Sequence, residues 1–284
     1  MPAPVSTARL DAVGRTAAVE LADRIEAEDG APPLSDQARS RIGADGGTDL
    51  TVYQGSELVG YGRVDDGAAE VTGQPAVLAD LLRAAAETAG GQLQVWSHGT
   101  HSRLVHALEA TGFTQTRELH QLRRPLDDTS LPPEPNLPPD VHVRTFHPGH
   151  DETAWLALNA AAFASHPEQG RWTRADLDAR MAEPWFDPAG FFLAERAGQL
   201  VAFHWTKIHP GDLGEVYVLG VAPDAQGLGL GRALLLRGLH HLAQRGCSDV
   251  LLYVDGDNTA ALALYERSGF TRYDVDRQWT GPAS

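Results

Sequence analysis

Apolar and polar residues alternate in short stretches along the chain. GSELVGYGRVD from Gly55 and GQLVAFHWTK from Gly198 each open on a turn and continue with the period of two that is typical of a β-strand. EVYVLGVAP from Glu215 and DVLLYVDG from Asp249 are predicted as two further strands. Between these two strands lie a glycine loop, DAQGLGLGR, and the stretch ALLLRGLHHLAQ. From the end of the loop onwards, apolar residues follow helical spacing at Leu230, Leu234, Leu235, Leu239 and Leu242.

The pattern occurs twice, which indicates a duplicated domain. LEATGFTQTRELHQL from Leu108 matches LYERSGFTRYDVDRQW from Leu264, as the two turn-strand stretches match each other. The first copy is shorter because AAEVTGQPAVLADLLRAAAETAGG has no glycine loop between strand and helix. We therefore predict a first domain over residues 1–125, a proline-rich linker over 126–140 and a second domain over 141–284.

Composition narrows the classes of function. The 284 residues are 42% hydrophobic, with no apolar run long enough for a membrane span and no signal-like start, so we expect a cytoplasmic globular protein without a membrane partner. The formal net charge of −15 argues against a nucleic-acid partner and would attract a cationic small substrate. The single cysteine, Cys247, is interpreted as filling a turn rather than as a reactive thiol. His204, His209, His240 and His241 show no ligand spacing joined to a carboxylate site, so no metal is expected.

The glycine loop is the strongest local signal. A strand that leads through glycines into a helix presents free main-chain N–H groups and the positive end of the helix dipole, which together can hold a phosphate. A Walker loop needs a lysine that is absent here, and a dinucleotide fingerprint needs glycine where Arg232 stands. A glycine-rich turn without a ligand is the remaining alternative.

Two motifs in order carry a resemblance to a known family. The pattern Q-x-x-G-x-G from Gln226 is similar to the pyrophosphate loop of GNAT acyltransferases, and N-x-x-A-x-x-x-Y-x-x-x-G-F from Asn258 resembles their closing motif. The resemblance implies an α/β protein of two tandem GNAT domains, each a twisted mixed sheet flanked by helices, with acetyl-CoA as co-substrate. The coenzyme contacts that it implies are Leu219, Gly220, Val221, Gln226, Gly227, Leu228, Gly229, Leu230, Gly231, Arg232, Asn258, Thr259, Ala260, Ala261, Leu262 and Ala263.

Acetyl transfer to an amine needs a base, an acid and donors for the developing oxyanion. Glu215 could take the ammonium proton, although it could equally be a solvated residue of the preceding turn. Tyr265 could protonate the leaving thiolate, with core packing as the alternative. Main-chain N–H groups around Gly220 could polarise the thioester carbonyl if the strand separates from its neighbour, and this glycine fits a bulge or a close approach, with plain packing as the alternative. The resemblance assigns the base to Glu215 and the acid to Tyr265.

The second half resembles tandem-domain GNAT enzymes that acetylate the cysteinyl amine of a cysteinyl-glucosaminyl-inositol. The similar stretches are FASHPEQGRWTRADL and FHWTKIHPGDLGEVYVLGVAPDAQGLGLG. This resemblance implies a small-molecule substrate that is bound by Asp36, Glu168, Lys207, Glu215 and Tyr253. We expect a monomer in which the first half does not catalyse, since it lacks the loop and has Leu108 at the position of Tyr265. The alternatives are a GNAT enzyme for another amine, such as an aminoglycoside or a protein N-terminus, and a non-catalytic acyl-CoA-binding module.

Overall fold

The computed structural model describes residues 4–7, 9–126, 131–164, 166 and 169–281. The chain divides into two compact units. The first unit comprises Met1–Gln121, Val254–Thr259 and Arg272–Ser284, and the second unit comprises Leu122–Tyr253 and Ala260–Thr271. No described helix combines the length and the apolar composition that a membrane span requires.

The first half of the chain forms six strands and four helices. The strands are β1 (Val5–Ser6), β2 (Thr48–Gln54), β3 (Glu57–Asp65), β4 (Ala68–Gly73), β5 (Gln94–Ser97) and β6 (Thr114–Pro125), and the helices are α1 (Ala12–Asp29), α2 (Asp36–Ser40), α3 (Pro75–Ala89) and α4 (Leu104–Ala110). Strands β1 to β4 pair antiparallel in sequence order, and β5 lies parallel to β4. This sheet is therefore mixed.

The second half repeats this order. Its strands are β7 (Val141–Thr145), β8 (Phe191–Arg196), β9 (Gln199–His209), β10 (Leu213–Val221), β11 (Asp249–Asp255) and β12 (Thr271–Thr280), and its helices are α5 (Glu152–Ala162), α6 (Arg174–Met181), α7 (Leu230–Gln244) and α8 (Thr259–Arg267). Strands β7 to β10 pair antiparallel in sequence order, and β11 lies parallel to β10. The second unit therefore also has a mixed sheet.

The last strand of the chain belongs mostly to the first unit. Residues 277–280 of β12 pair antiparallel with residues 94–97 of β5, and the Trp279 indole Nε1 donates to Ser97 Oγ at 3.0 Å. Trp279 is buried in the apolar core that α3 and α4 form on one face of this sheet. A second core, between the sheet and α1, covers the other face.

Helices cover both faces of the sheet in the second unit. Trp155 of α5 packs edge-on against Phe203 and Trp205 of β9, with ring centroids 5.3 and 5.9 Å apart. His204 points to the other face, where its Nδ1 lies 2.7 Å from the Leu234 carbonyl oxygen of α7. The five apolar positions at helical spacing in α7 are all buried, as predicted.

Candidate active site

Strand β10 has registered pairs with two neighbouring strands over its first three residues and with one neighbour over the rest. It pairs with β9 along its whole length, but its registered pairs with β11 run only from Leu213 to Glu215 within the described residues. Past Glu215, the main chain of β10 therefore has a ladder on one side only. The prediction of free main-chain donors at residues 219–221 required such a separation of the two strands.

A β-bulge lies at the point of separation. The register passes from Val216 opposite Thr206 to Val218 opposite Trp205, so Tyr217 is the extra residue. The sequence interpretation offered Gly220 for a bulge or a close approach, and the bulge is three residues earlier. Gly220 instead fits the alternative of plain packing, because a Cβ on it would lie 2.6 Å from the Phe203 ring.

Glu215 is a buried carboxylate with one engaged oxygen. Its residue is 7% exposed, which excludes the alternative of a solvated turn residue. Oε2 lies 2.6 Å from His209 Nε2 and 3.9 Å from Lys207 Nζ, both on β9. No hydrogen-bond donor among the described residues lies against Oε1. A buried charge needs a partner, and here the partners leave one oxygen available for a proton.

The link between His209 and Glu215 corrects the sequence interpretation, which joined no histidine to a carboxylate site. Strand alternation places Lys207 and His209 on the same face, and the register places Lys207 directly opposite Glu215. The sequence does not state this register, so the contact was missed.

Aromatic rings hold the Lys207 ammonium. Its Nζ lies 4.9 Å from the centroid of the Trp185 ring and 5.6 Å from that of Tyr217. Such cation–π contacts stabilise a partly buried ammonium group. Burial raises the pKa of Tyr217, so its ring stays neutral. Trp185 and Tyr217 were not singled out from the sequence, where large aromatic residues indicate only a core.

The glycine loop is open to solvent. Gly227 and Gly229 have φ of 81° and 78°, a conformation that favours glycine, and both are exposed. Helix α7 begins at Leu230, three residues before the predicted stretch, and the Ala233 N–H donates to the Gly229 carbonyl at 3.1 Å. The N–H groups at the start of a helix have no acceptor within it. They are therefore free to bind an anion.

Gly231 is not required by the protein itself. Its φ is not positive, and a Cβ there would meet only Val221 and Leu264, at the ordinary contact distances of 3.6 and 3.7 Å. A ligand that lies against the main chain would explain a glycine in the first turn of this helix. The loop thus fits a coenzyme diphosphate.

Tyr265 lies in α8 and is only 8% exposed. Its ring packs edge-on against Phe270 with centroids 5.8 Å apart, and burial raises the pKa of its phenol. No described protein group hydrogen-bonds its hydroxyl. The residue therefore packs in the core and also keeps a neutral O–H to donate.

The other predicted contacts lie in several parts of the chain. Glu168 lies outside the described residues. Asp36 is the exposed first residue of α2 in the first unit, and Tyr253 of β11 is 45% exposed in the second unit. Asn258 and Thr259 belong to the first unit, whereas residues 260–263 belong to the second. The roles assigned to all of these residues stay predictions.

Cys247 is buried, and desolvation raises the pKa of its thiol. This environment disfavours the thiolate and supports the interpretation of Cys247 as a packed residue.

In the first unit, a second glutamate occupies the register position of Glu215. Glu70 forms the third parallel pair of β4 with β5, as Glu215 forms the third parallel pair of β10 with β11. Both Glu70 oxygens are engaged: the Ser35 main-chain N–H donates to one at 2.6 Å and the Ser35 hydroxyl to the other at 2.5 Å. His98 Nε2 lies 3.4 Å from Glu70, and its Nδ1 lies 3.2 Å from Asp276. This carboxylate has no free oxygen.

The first unit also lacks the anion cradle. Gln74 alone separates β4 from α3, and Pro75 occupies the first turn of the helix, where it removes one N–H donor. Neither feature of the candidate site in the second unit is therefore repeated in the first.

Comparison with known proteins shows what the chain is similar to. Residues 155–270 match the model of the acetyltransferase (GNAT) family. The mycothiol acetyltransferase of Thermomonospora curvata is 51% identical, with 92% of each chain covered. The mycothiol acetyltransferase of Streptomyces coelicolor is 53% identical over 80% of this chain and 77% of the relative.

Solved structures share the fold. A GCN5-related N-acetyltransferase from Sphaerobacter thermophilus has a TM-score of 0.76 at 22% identity, covering 97% of this chain and 95% of its own. A tandem GNAT protein from the clavulanic acid biosynthesis pathway has a TM-score of 0.70 at 18% identity, covering 99% of this chain and all of its own. The predicted α/β fold class is confirmed.

Proposed function

We propose that this chain, which belongs to the mycothiol acetyltransferase family of GNAT acetyltransferases, transfers the acetyl group of acetyl-CoA to the cysteinyl amine of a cysteinyl-glucosaminyl-inositol. The observation that carries the chemistry is Glu215, a buried carboxylate with a free Oε1 at the point where β10 and β11 separate. The substrate follows from the family resemblance described above, and it is supported by relatives named mycothiol acetyltransferase. The proposal gives this chemistry to residues 141–284 and none to the first half.

The loop supports acetyl-CoA as the acyl donor. Main-chain N–H groups between Gln226 and Arg232 would hold the diphosphate of the coenzyme, and residues 260–263 would complete the contacts within the same unit. Because the net charge of the chain is −15, attraction at long range does not favour this polyanion. The local donors must therefore supply its affinity.

The reaction removes two protons from the substrate nitrogen, places charge on the carbonyl oxygen and puts one proton on the leaving sulfur. Glu215 Oε1 takes a proton from the substrate ammonium, and the freed nitrogen lone pair attacks the thioester carbonyl carbon. Main-chain N–H groups of residues 219–221 stabilise the oxyanion. When the C–S bond breaks, the electron pair stays on sulfur and the Tyr265 hydroxyl donates its proton there, while the attacking nitrogen, which is cationic after the attack, loses its second proton to solvent and becomes the amide nitrogen. Solvent then reprotonates the tyrosinate and removes the proton from Glu215.

The remaining contacts define the substrate. Glu168, Lys207 and Tyr253 would bind the hydroxyl and amide groups of the cysteinyl pseudodisaccharide. Cation–π contacts fix the Lys207 ammonium beside Glu215, so it can donate to a substrate carbonyl without a large rearrangement. We further propose that the chain acts as a monomer in the cytoplasm.

A substrate panel tests the function. Full-length protein is incubated with acetyl-CoA and either the cysteinyl-glucosaminyl-inositol, an aminoglycoside or a peptide with a free N-terminus, and products are identified by mass spectrometry. We expect N-acetylation of the cysteinyl compound with by far the highest kcat/KM. Preference for another amine would contradict the proposed substrate. Coenzyme binding without acetylation of any amine would contradict the proposal that the chain is an enzyme.

A further inference from the structure

A histidine outside the proposed set of functional residues contacts the proposed base. His209 Nε2 lies 2.6 Å from Glu215 Oε2. We assign the proton between these atoms to Nε2, with the histidine as donor, because a base must be unprotonated before it takes a proton and an unprotonated carboxylate only accepts hydrogen bonds. A short donor to a charged acceptor is among the stronger hydrogen bonds in proteins.

The Lys207 ammonium group near Glu215 does not make the same contact. Lys207 Nζ is 3.9 Å from Oε2, which is beyond hydrogen-bond distance, and two aromatic rings hold it. Among the described residues, His209 alone donates a hydrogen bond to this carboxylate. Oε1 is left without a protein donor.

We propose that His209 is a positioning residue for Glu215: its Nε2–H fixes Oε2, so that Oε1 is the oxygen presented to the substrate amine. This inference rests on the proposed function. In the step that it serves, an N–H bond of the ammonium breaks, its electron pair stays on nitrogen, and an O–H bond forms at Oε1. The hydrogen bond from His209 persists throughout.

The physical reason is the freedom of a carboxylate. The terminal torsion of glutamate has a broad, roughly two-fold energy profile, so without a donor the two oxygens would exchange places and turn away from the substrate. A base must lie within hydrogen-bond distance of the proton that it takes, and loss of orientation lowers the rate of the chemical step more than substrate binding. The expected signature is therefore a fall in kcat at nearly constant KM.

Two variants separate the donor from the volume of the side chain. His209→Gln keeps an N–H donor on a side chain of similar reach, and His209→Leu fills similar space without a donor. His142→Gln, at an exposed position on β7, is the matched control. Each full-length protein is assayed with acetyl-CoA and the cysteinyl-glucosaminyl-inositol by mass spectrometry, and thermal unfolding is measured in parallel.

We expect kcat of His209→Leu to fall about 10- to 100-fold, with both KM values within about twofold of wild type. His209→Gln should recover to within about fivefold of wild type. A kcat of His209→Leu equal to wild type, an effect on KM alone, or an equal loss in both variants overturns the positioning role.

If His209→Leu or His209→Gln fails to fold, chemical rescue of a third variant, His209→Ala, tests the same role. The His209 side chain is 29% exposed, so added imidazole can reach its site in His209→Ala. Recovery of kcat with imidazole supports the proposal, and its absence contradicts it. If wild type and His142→Gln both fail to acetylate the amine, the proposed function itself fails and the positioning role falls with it.

Discussion

Two glutamates at the same register position have opposite surroundings. Glu215 keeps Oε1 free, whereas both oxygens of Glu70 are bound by Ser35 and faced by His98. The same residue type at the same place in two similar sheets is thus suited to proton transfer in one unit and to an ion pair in the other. The difference lies in the neighbours, which sequence spacing does not give.

The ion pair in the first unit predicts a pH dependence of stability. Desolvation lowers the pKa of His98, but the carboxylates of Asp276 and Glu70 outweigh it and raise this pKa to about 9. Because this pKa is higher in the folded state, protonated His98 stabilises the fold. Its contribution to the free energy of unfolding is complete below the unfolded pKa of about 6.5 and is lost as pH rises through 9.

We therefore expect wild type to lose on the order of 1–3 kcal/mol of unfolding free energy between pH 6.5 and 9.5 relative to His98→Gln. Urea unfolding at the two pH values measures the difference. Parallel pH dependence in both proteins would contradict the assignment of this charge to His98.

The glycine loop and α7 act together as one element. The sequence predicted the order strand, loop, helix and strand, because glycines and apolar spacing are local signals. The bulge at Tyr217 and the contact of His209 with Glu215 could not be predicted, because both depend on which residues of β9 and β10 lie opposite each other. Local sequence patterns therefore predict the individual helices, strands and loops, whereas the contacts of the candidate active site depend on how the strands pair.

Gly231→Ala separates ligand binding from stability. Alanine favours a helix over glycine by up to about 1 kcal/mol, and the space there accepts a Cβ, so the variant should unfold at a higher temperature. It should also bind acetyl-CoA about tenfold more weakly, because the Cβ keeps the diphosphate from the main chain.

Calorimetric titration and thermal unfolding measure the two effects of Gly231→Ala. Gly91→Ala is the matched control, since the structure also accepts a Cβ there, with no atom within 4 Å, and Gly91 lies outside the loop. Wild-type affinity in Gly231→Ala would show that the coenzyme does not approach this turn.

At the scale of the whole molecule, the duplication was visible in the sequence, but the partner of the last strand was not. A period of two predicts a strand without naming its neighbour. Residues 272–284 belong to the first unit, in which Trp279 fills the core beside α3 and α4. Sequence halves and compact units therefore divide the chain differently at its end.

Trp279→Ala should consequently destabilise the first unit, although the residue is close to the C-terminus. Removing a buried tryptophan typically costs about 3–5 kcal/mol, and here the hydrogen bond to Ser97 is lost as well. Hydrogen exchange followed by mass spectrometry should show lost protection in β5. Unchanged exchange in β5 would contradict the pairing with β12.

The acetylation rate of Glu215→Gln tests the central claim most directly. The amide has the shape of the carboxylate but cannot accept a proton as a base. With acetyl-CoA and the cysteinyl-glucosaminyl-inositol at saturation, we expect wild type to form the N-acetyl product and Glu215→Gln to form it about 10²- to 10⁴-fold more slowly. Equal rates in the two proteins would contradict the account.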